Sequence, residues 1–497
     1  MSSEYEPEIK ELLFSDKYVL KSGVLLVEGY NNCALYDINS GNVYSLNNSA
    51  RNILTGKTDN SFFWEKLRDM NLCTTNTDKE KSMLNELTYV PSLQFAWFEI
   101  VSKACNENCL HCYGDFMPPT YRKGLDKFHS FDNSNLKKEE KLSFVQWKSQ
   151  IKNVHDLGCE TCQFIGDEPF LYRGEKGESV LDLAEYAKEI GFKFIEIFTN
   201  GTLLTREMIN RIKDLGVNIA ISLYSIEPEI HDRITRTRGS HKKTMEALEM
   251  LKEASIPTRV ETVLMKQNET SAEETQRFID KMGFSHKRLD VLRQNGRGDN
   301  LNLLPSNDSL LKHGVMASPN FSINKDMLAR NLSNNSCLSG KIAITDNGDV
   351  LPCVFSRDQI VGNVLEKSLA EIVDGNRLIK VWQNTKDCVQ VCKDCEYRYC
   401  CTDCRPSSLG TNQNVGEYLT APYPKCAYNP YEGKWGKGYW KLDHCPPNAA
   451  CRPNTDCYPN NCRPALGPCG PDTLPCYPNG KAPEPPRPFP RPPCYPG

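Results

Sequence analysis

The chain has 497 residues, 25% charged and 39% hydrophobic, with a net charge of −3; this suits globular folding and leaves room for about three domains of roughly 150 residues each. Without a basic excess or a dense Lys/Arg stripe there is nothing to neutralise a phosphate backbone, so nucleic acid is excluded as an expected partner. The opening MSSEYEPEIKELLFSDKYVL lacks the marks of a secretion signal and no long apolar run occurs, so a cytoplasmic, non-membrane location is expected, and the 23 cysteines point to metal or redox chemistry rather than disulfides.

In residues 1–90, VLLVEG, CALYDI and NVYSL read as short strands broken by Asn-Asn and Ser-Gly turns, and NSARNIL and SFFWEKL as helices. Residues 91–300 change to strict alternation. The strand-like runs FAWFEIV, CQFIG, FIEIFT, NIAISLY, TRVETVLM and KRLDVL are separated by helical patterns, which predicts parallel pairing through right-handed crossovers. In the first helix Ser143 and Gln146 make a capping box, Phe144, Trp147, Ile151 and Val154 recur at helical spacing, and Gly158 ends it. The polar, Lys-rich insert at 115–141 reads as a mobile loop or lid. Residues 301–430 are cysteine-dense, and 431–497 pass from a Gly/aromatic linker to a Cys/Pro-rich tail that cannot build an apolar core and is expected to be disordered.

The first strand runs into KACNENCLHCYGD, a C-x3-C-x2-C loop with Cys105, Cys109 and Cys112. Three thiolates can hold three irons of a [4Fe–4S] cluster and leave the fourth open; zinc, the rival, wants four ligands and finds three cysteines plus an optional His111. The next strands end in Gly166-Asp167-Glu168-Pro169 and Thr199-Asn200-Gly201, and the fourth carries Ser222. This series resembles the radical S-adenosylmethionine (radical SAM) superfamily over residues 93–295, with Asp167 where a second glycine is commoner.

The resemblance implies an α/β fold with a partial (β/α)6 barrel. It further implies that SAM chelates the open iron and that one electron cleaves it to a 5′-deoxyadenosyl radical. The backbone of Gly166, Asp167 and Glu168 would face the methionine amino group, Thr199 and Asn200 would lie among the cofactor contacts, and Ser222 would face the ribose. Arg236 would face the carboxylate, with Arg233 or Arg238 as alternatives. An electron donor such as flavodoxin or ferredoxin is expected.

Further on, CLSGKIAITDNGDVLPC and CVQVCKDCEYRYCCTDC, with Cys426 beyond, resemble the SPASM extension of radical SAM peptide-modifying enzymes, which holds two auxiliary [4Fe–4S] clusters. By position, Cys337, Cys353 and Cys404 would hold the first, and Cys392, Cys395, Cys401 and Cys426 the second. Cys400 could substitute for Cys401, and Cys388 could add a ligand to the first cluster. A zinc ribbon is the bland alternative for CKDC with CTDC. The run CALYDINSGNVYSLNNSARNIL resembles the peptide-recognition (PqqD-like) domain of ribosomal-peptide maturation systems, which adds a leader peptide to a sheet edge; a generic α+β structural domain is the alternative.

Within the tail the frame C-x-P-[N/D] recurs at Cys445, Cys451, Cys457, Cys469 and Cys476. Pro followed by Asn or Asp favours tight turns. The architecture resembles the clostridial Cys-rich peptide radical SAM maturases, and implies Cys-to-carbon thioether links on a Cys-rich precursor peptide, either this tail or a separate one. Two rival functions stand beside it. One is formylglycine-type oxidation of Cys or Ser, weakened by Val354 where those maturases place an acid after Cys353; the other is a non-enzymatic, metal-binding Cys-rich protein.

Overall fold

The computed structural model describes residues 9–10, 18–75, 87–114, 141–286, 289–293, 295–313, 319, 321–411, 418–423, 425–426 and 428–435. The insert at 115–140 and the cysteine-rich tail lie outside the described residues. Two compact units form, and they do not follow chain order: 92–315 with 340–379, and 1–91 with 316–339 and 380–497. No helix among the described residues is long and apolar enough to cross a membrane.

In the unit built from 92–315 and 340–379, five parallel strands stand side by side: β7 (Phe95–Val101), β8 (Thr161–Gly166), β9 (Phe194–Thr199), β10 (Asn218–Ser222) and β11 (Thr258–Glu261). Helices return the chain between them, and their ends carry the expected signals. Ser143 and Gln146 close a full capping box on Phe144–Asp156, and Gly216 takes the left-handed conformation after Arg206–Leu215.

The expected last two strands are shorter and arranged differently. TRVETVLM breaks at Thr262 into β11 and β12 (Val263–Leu264), and β12 pairs with β13 (Asp290–Val291), the strand that KRLDVL contributes among the described residues. The opposite edge of β7 is taken by β14 (Lys341–Thr345), parallel to it, then by β15 (Asp349–Leu351) and β16 (Gly362–Asn363). KIAIT thus serves the barrel sheet, not the cysteine-dense region to which its position in sequence suggested it belongs. Its Ile342, Ala343 and Ile344 are fully buried, which is what covers an apolar edge strand.

In the unit containing the N-terminal residues, β3 (Val24–Glu28), β4 (Cys33–Asp37) and β5 (Asn42–Leu46) form an antiparallel meander. Side chains alternate between its faces. Val24, Leu26, Cys33 and Leu35 meet Ile53, Leu54, Trp64 and Leu67 of the two helices, while Leu25, Val27, Ala34 and Tyr36 meet Leu328, Leu332, Tyr397, Tyr399 and Cys400. Both faces are dry, which explains the continuous apolar run VLLV. Cys33 and Cys73 are simply core residues.

Phe98 of β7 is fully buried against Trp147, Phe164 and Phe192, with ring centroids at 6.2, 5.4 and 6.5 Å. Phe98→Ala should cost about 3–5 kcal/mol, read as a lower chemical-unfolding midpoint for the barrel tryptophan signal.

Candidate functional site

The loop from Ser102 to Gly114 has no regular structure of its own, and side chains from elsewhere hold it. Ser102 donates its amide and hydroxyl to Asp346 at 3.0 and 2.7 Å. Asp167, at the end of β8, accepts from the Ala104 amide at 3.1 Å. The Asn108 and Leu110 amides bond to Thr235 and Ile234 carbonyls at 3.0 and 2.8 Å. Arg297 donates through Nε to the Cys109 carbonyl at 2.9 Å and through its amide to the Cys112 carbonyl at 3.0 Å.

This brings Cys105, Cys109 and Cys112 to the wall of a cavity of about 1130 Å³, shared with Gly166, Asp167, Thr199, Asn200 and Ser222. Gly166 must be glycine: its φ is +146° and a Cβ would lie 2.4 Å from the Val101 carbonyl oxygen. Glu168 is completely buried beneath the cavity and not on its wall. It accepts from Thr199 Oγ1 at 2.7 Å, the Asn200 amide at 3.0 Å and the Phe170 amide at 3.1 Å, so it ties the end of β9 to the end of β8. Asn200 in turn donates to Asn106 Oδ1 at 2.9 Å, reaching the cysteine loop.

Burial pushes the thiols of Cys105 and Cys109 up, and neighbouring carboxylates and thiols push Cys109 further. Such thiols give up their protons to a metal rather than to water. Three thiols on one cavity wall can hold three irons of a [4Fe–4S] cluster and leave the fourth iron open.

Arg236 is not at the cavity. It is exposed, at positive φ on the end of Pro228–Thr235, and neither it, Arg233 nor Arg238 is among the lining residues, whereas Arg259, Arg293 and Arg297 are. Two of these belong to features that sequence reasoning passed over. Arg259 on β11 donates to Glu196 on β9 at 2.7 and 3.2 Å and pairs with Glu261, making a polar ladder inside the barrel. Charged residues inside apolar strand runs were its visible signal; Arg297 had none.

In the other unit, Cys392, Cys395, Cys401 and Cys426 line one small pocket, together with Lys386, Arg398, Tyr397 and Tyr428. Burial raises the thiols of Cys395, Cys401 and Cys426, the last to about 11. Of the adjacent cysteines, Cys400 turns into the core and meets the Tyr36 hydroxyl at 3.4 Å, and Cys401 lines the pocket. Cys388 is disulfide-bonded and offers no free thiol. Cys337 and Cys404 fall in this unit and Cys353 in the barrel unit.

Asp167→Ala should lower iron bound at the three-cysteine loop and leave the other clusters loaded, whereas Asp167→Asn, which keeps an acceptor oxygen, should be milder; iron and sulfide assays check this. Cys401→Ala should remove one cluster's iron, and Cys400→Ala should remove none.

Residues 100–279 match the radical SAM superfamily, and residues 336–396 match an iron–sulfur cluster-binding domain, SPASM. The AdoMet-dependent heme synthase of Methanosarcina barkeri is 24% identical over 374 residues, covering 69% of this chain and 98% of that protein. The antilisterial bacteriocin subtilosin biosynthesis protein AlbA of Bacillus subtilis is 25% identical over 338 residues, covering 64% and 68%. Streptococcus suis SuiB bound to S-adenosylmethionine aligns with TM-score 0.45 and 14% identity, covering 79% and 96%. With its three thiols at the mouth of a parallel sheet and four more around a second pocket, the chain carries a radical SAM domain at residues 100–279 and a SPASM domain at 336–396, which imply a [4Fe–4S] cluster with SAM and auxiliary iron–sulfur clusters.

Proposed function

We propose that this enzyme matures a ribosomally made, cysteine-rich peptide by forming thioether links from cysteine sulfur to carbon. The observation that carries the reading is the joining, within one chain, of the three-thiol cavity to the C-x-P-[N/D] frames at Cys445, Cys451, Cys457, Cys469 and Cys476. AlbA, named for bacteriocin biosynthesis, and the PqqA peptide cyclase of Bradyrhizobium diazoefficiens, 26% identical over 130 residues, support a peptide substrate.

When bound, the cluster and SAM supply hydrogen-atom abstraction, and the auxiliary clusters an acceptor for the electron released. Each link then removes one hydrogen atom from the acceptor carbon and one proton and one electron from the thiol. Asp167, Glu168 and Arg297 hold the loop and strand ends in place around the cavity, while Cys392, Cys395, Cys401 and Cys426 are assigned to an auxiliary cluster. Val354, which follows Cys353 and lines the cavity, offers no carboxylate there, which disfavours the formylglycine reaction.

The N-terminal sheet is the proposed leader site. Beside β5, Val43 bonds to Phe321 and Ile323 to Gly41 at 3.1 and 2.9 Å, and β3 pairs at its other edge with the two-residue strand Ile9–Lys10, so a leader strand would add beyond Ile9–Lys10 or displace it. Joining substrate to enzyme raises its effective concentration to roughly millimolar when the linker spans the distance. An electron donor of the flavodoxin or ferredoxin kind completes the system. A tetrapyrrole substrate is the second reading, favoured by the near-complete coverage of the heme synthase.

The test is mass spectrometry of the full chain after anaerobic turnover with SAM and a reductant. Loss of two hydrogens per link, with fragments joining a cysteine to the residue three positions on, is expected. An unaltered tail together with an unaltered separate precursor peptide, or turnover of an added iron porphyrin precursor instead, would contradict it.

A further inference from the structure

Beside the four-cysteine pocket lies a buried cluster of charges that neither the fold nor the cysteine assignment requires. Lys386 and Arg405 both pair with the carboxylate of Asp403. The side chains of Asp403 and Arg405 are 0% exposed and that of Lys386 8%. Two cations facing one anion leave one positive charge uncompensated, and burial of such a charge is costly unless something negative stands beside it. Arg405 Nε and Asp403 Oδ1 make no hydrogen bond among the described atoms. Arg405 is anchored by the Ala421 carbonyl at 2.6 Å, so it cannot turn away to water.

Lys386 itself lines the pocket with Cys392, Cys395, Cys401 and Cys426, and so does Arg398; no carboxylate does. The Arg398 charge is already answered by Asp387 at 2.8 Å, which leaves the Lys386 side as the net positive wall. A tetrathiolate cluster is an anion that gains one further negative charge when it accepts an electron. Net charge, hydrogen bonding and burial are what set its potential, and a fixed cation in a poorly screened interior acts most strongly there.

We infer that Lys386, backed by Arg405 and poised by Asp403, raises the reduction potential of the auxiliary cluster at Cys392, Cys395, Cys401 and Cys426, and so fits that cluster to receive one electron. Lys386 is a positioning residue: its charge acts through the cluster and touches no substrate. The inference rests on the assignment of those four cysteines to a cluster, and it gives the second auxiliary site the role of electron acceptor.

The experiment is an EPR-monitored redox titration of the full-length, anaerobically reconstituted protein. The signal that disappears in Cys401→Ala identifies the cluster. In Lys386→Met its midpoint should fall by about 59 mV or more, tenfold for a one-electron couple; Lys386→Arg should restore it, and Asp403→Asn should move it the other way. The signal of the cluster at Cys105, Cys109 and Cys112 should stay put. An unchanged midpoint in Lys386→Met with the signal intact would overturn the inference. So would loss of the signal in Lys386→Met, Lys386→Arg and Asp403→Asn alike, because the triad would then serve packing and not potential. If Cys401→Ala removes no signal, the cluster assignment beneath the inference falls.

Discussion

A segment that carries three cluster ligands but no secondary structure must borrow its shape. Residues 102–114 take it from four directions: Asp346 after β14, Asp167 after β8, the end of Pro228–Thr235, and Arg297 beyond β13. The parallel sheet matters because it puts these donors and acceptors at one end. Strand carboxyl ends are where loops of a parallel sheet converge, and here the convergence is used first to hold cysteines and only then to leave a cavity. Asp167 illustrates the economy of that arrangement, since it stands where glycine is commoner and its carboxylate accepts the amide that opens the loop.

The N-terminal sheet and the second cysteine region are built as one unit. Tyr36 reaches Cys400 and the Glu396 carbonyl, Arg398 donates to the Glu28 carbonyl at 2.8 Å, and Ser45 and Tyr397 share a hydrogen bond of 2.5 Å. The face of the meander turned away from the two N-terminal helices is thus sealed by Leu328 and Leu332 of the helix Lys325–Ser333 and by the chain around Cys395 to Cys400. A sheet that would otherwise present an apolar face to water instead packs against the segment that carries Cys395 and Cys400.

Much of this was legible in the residues. Strands and helices with strong periodicity stand where Ser143, Gly158 and the runs FIEIFT and NIAIS placed them, and the three strand-end motifs line one cavity. Legibility failed where pairing depends on distant chain. KIAIT is equally good as any buried strand, and only the open edge of β7 decides its place; TRVETVLM reads as one strand because the break at Thr262 leaves the apolar pattern untouched. Arg236 was placed at the cofactor by family resemblance, yet it stands exposed at the end of Pro228–Thr235, while Arg297 is recruited by backbone carbonyls that carry no sequence mark. The pair Cys400 and Cys401 could be separated only by which thiol meets Tyr36.

In the proposed function the upstream cysteines hold iron and those of the C-x-P-[N/D] frames receive the chemistry. Its most direct test follows the abstracted hydrogen. Protein produced with asparagine and aspartate deuterated at carbon, then turned over anaerobically with unlabelled SAM, should yield 5′-deoxyadenosine carrying deuterium. SAM consumed with 5′-deoxyadenosine free of deuterium, from this tail and from any separate C-x-P-[N/D] peptide labelled in the same way, would contradict it.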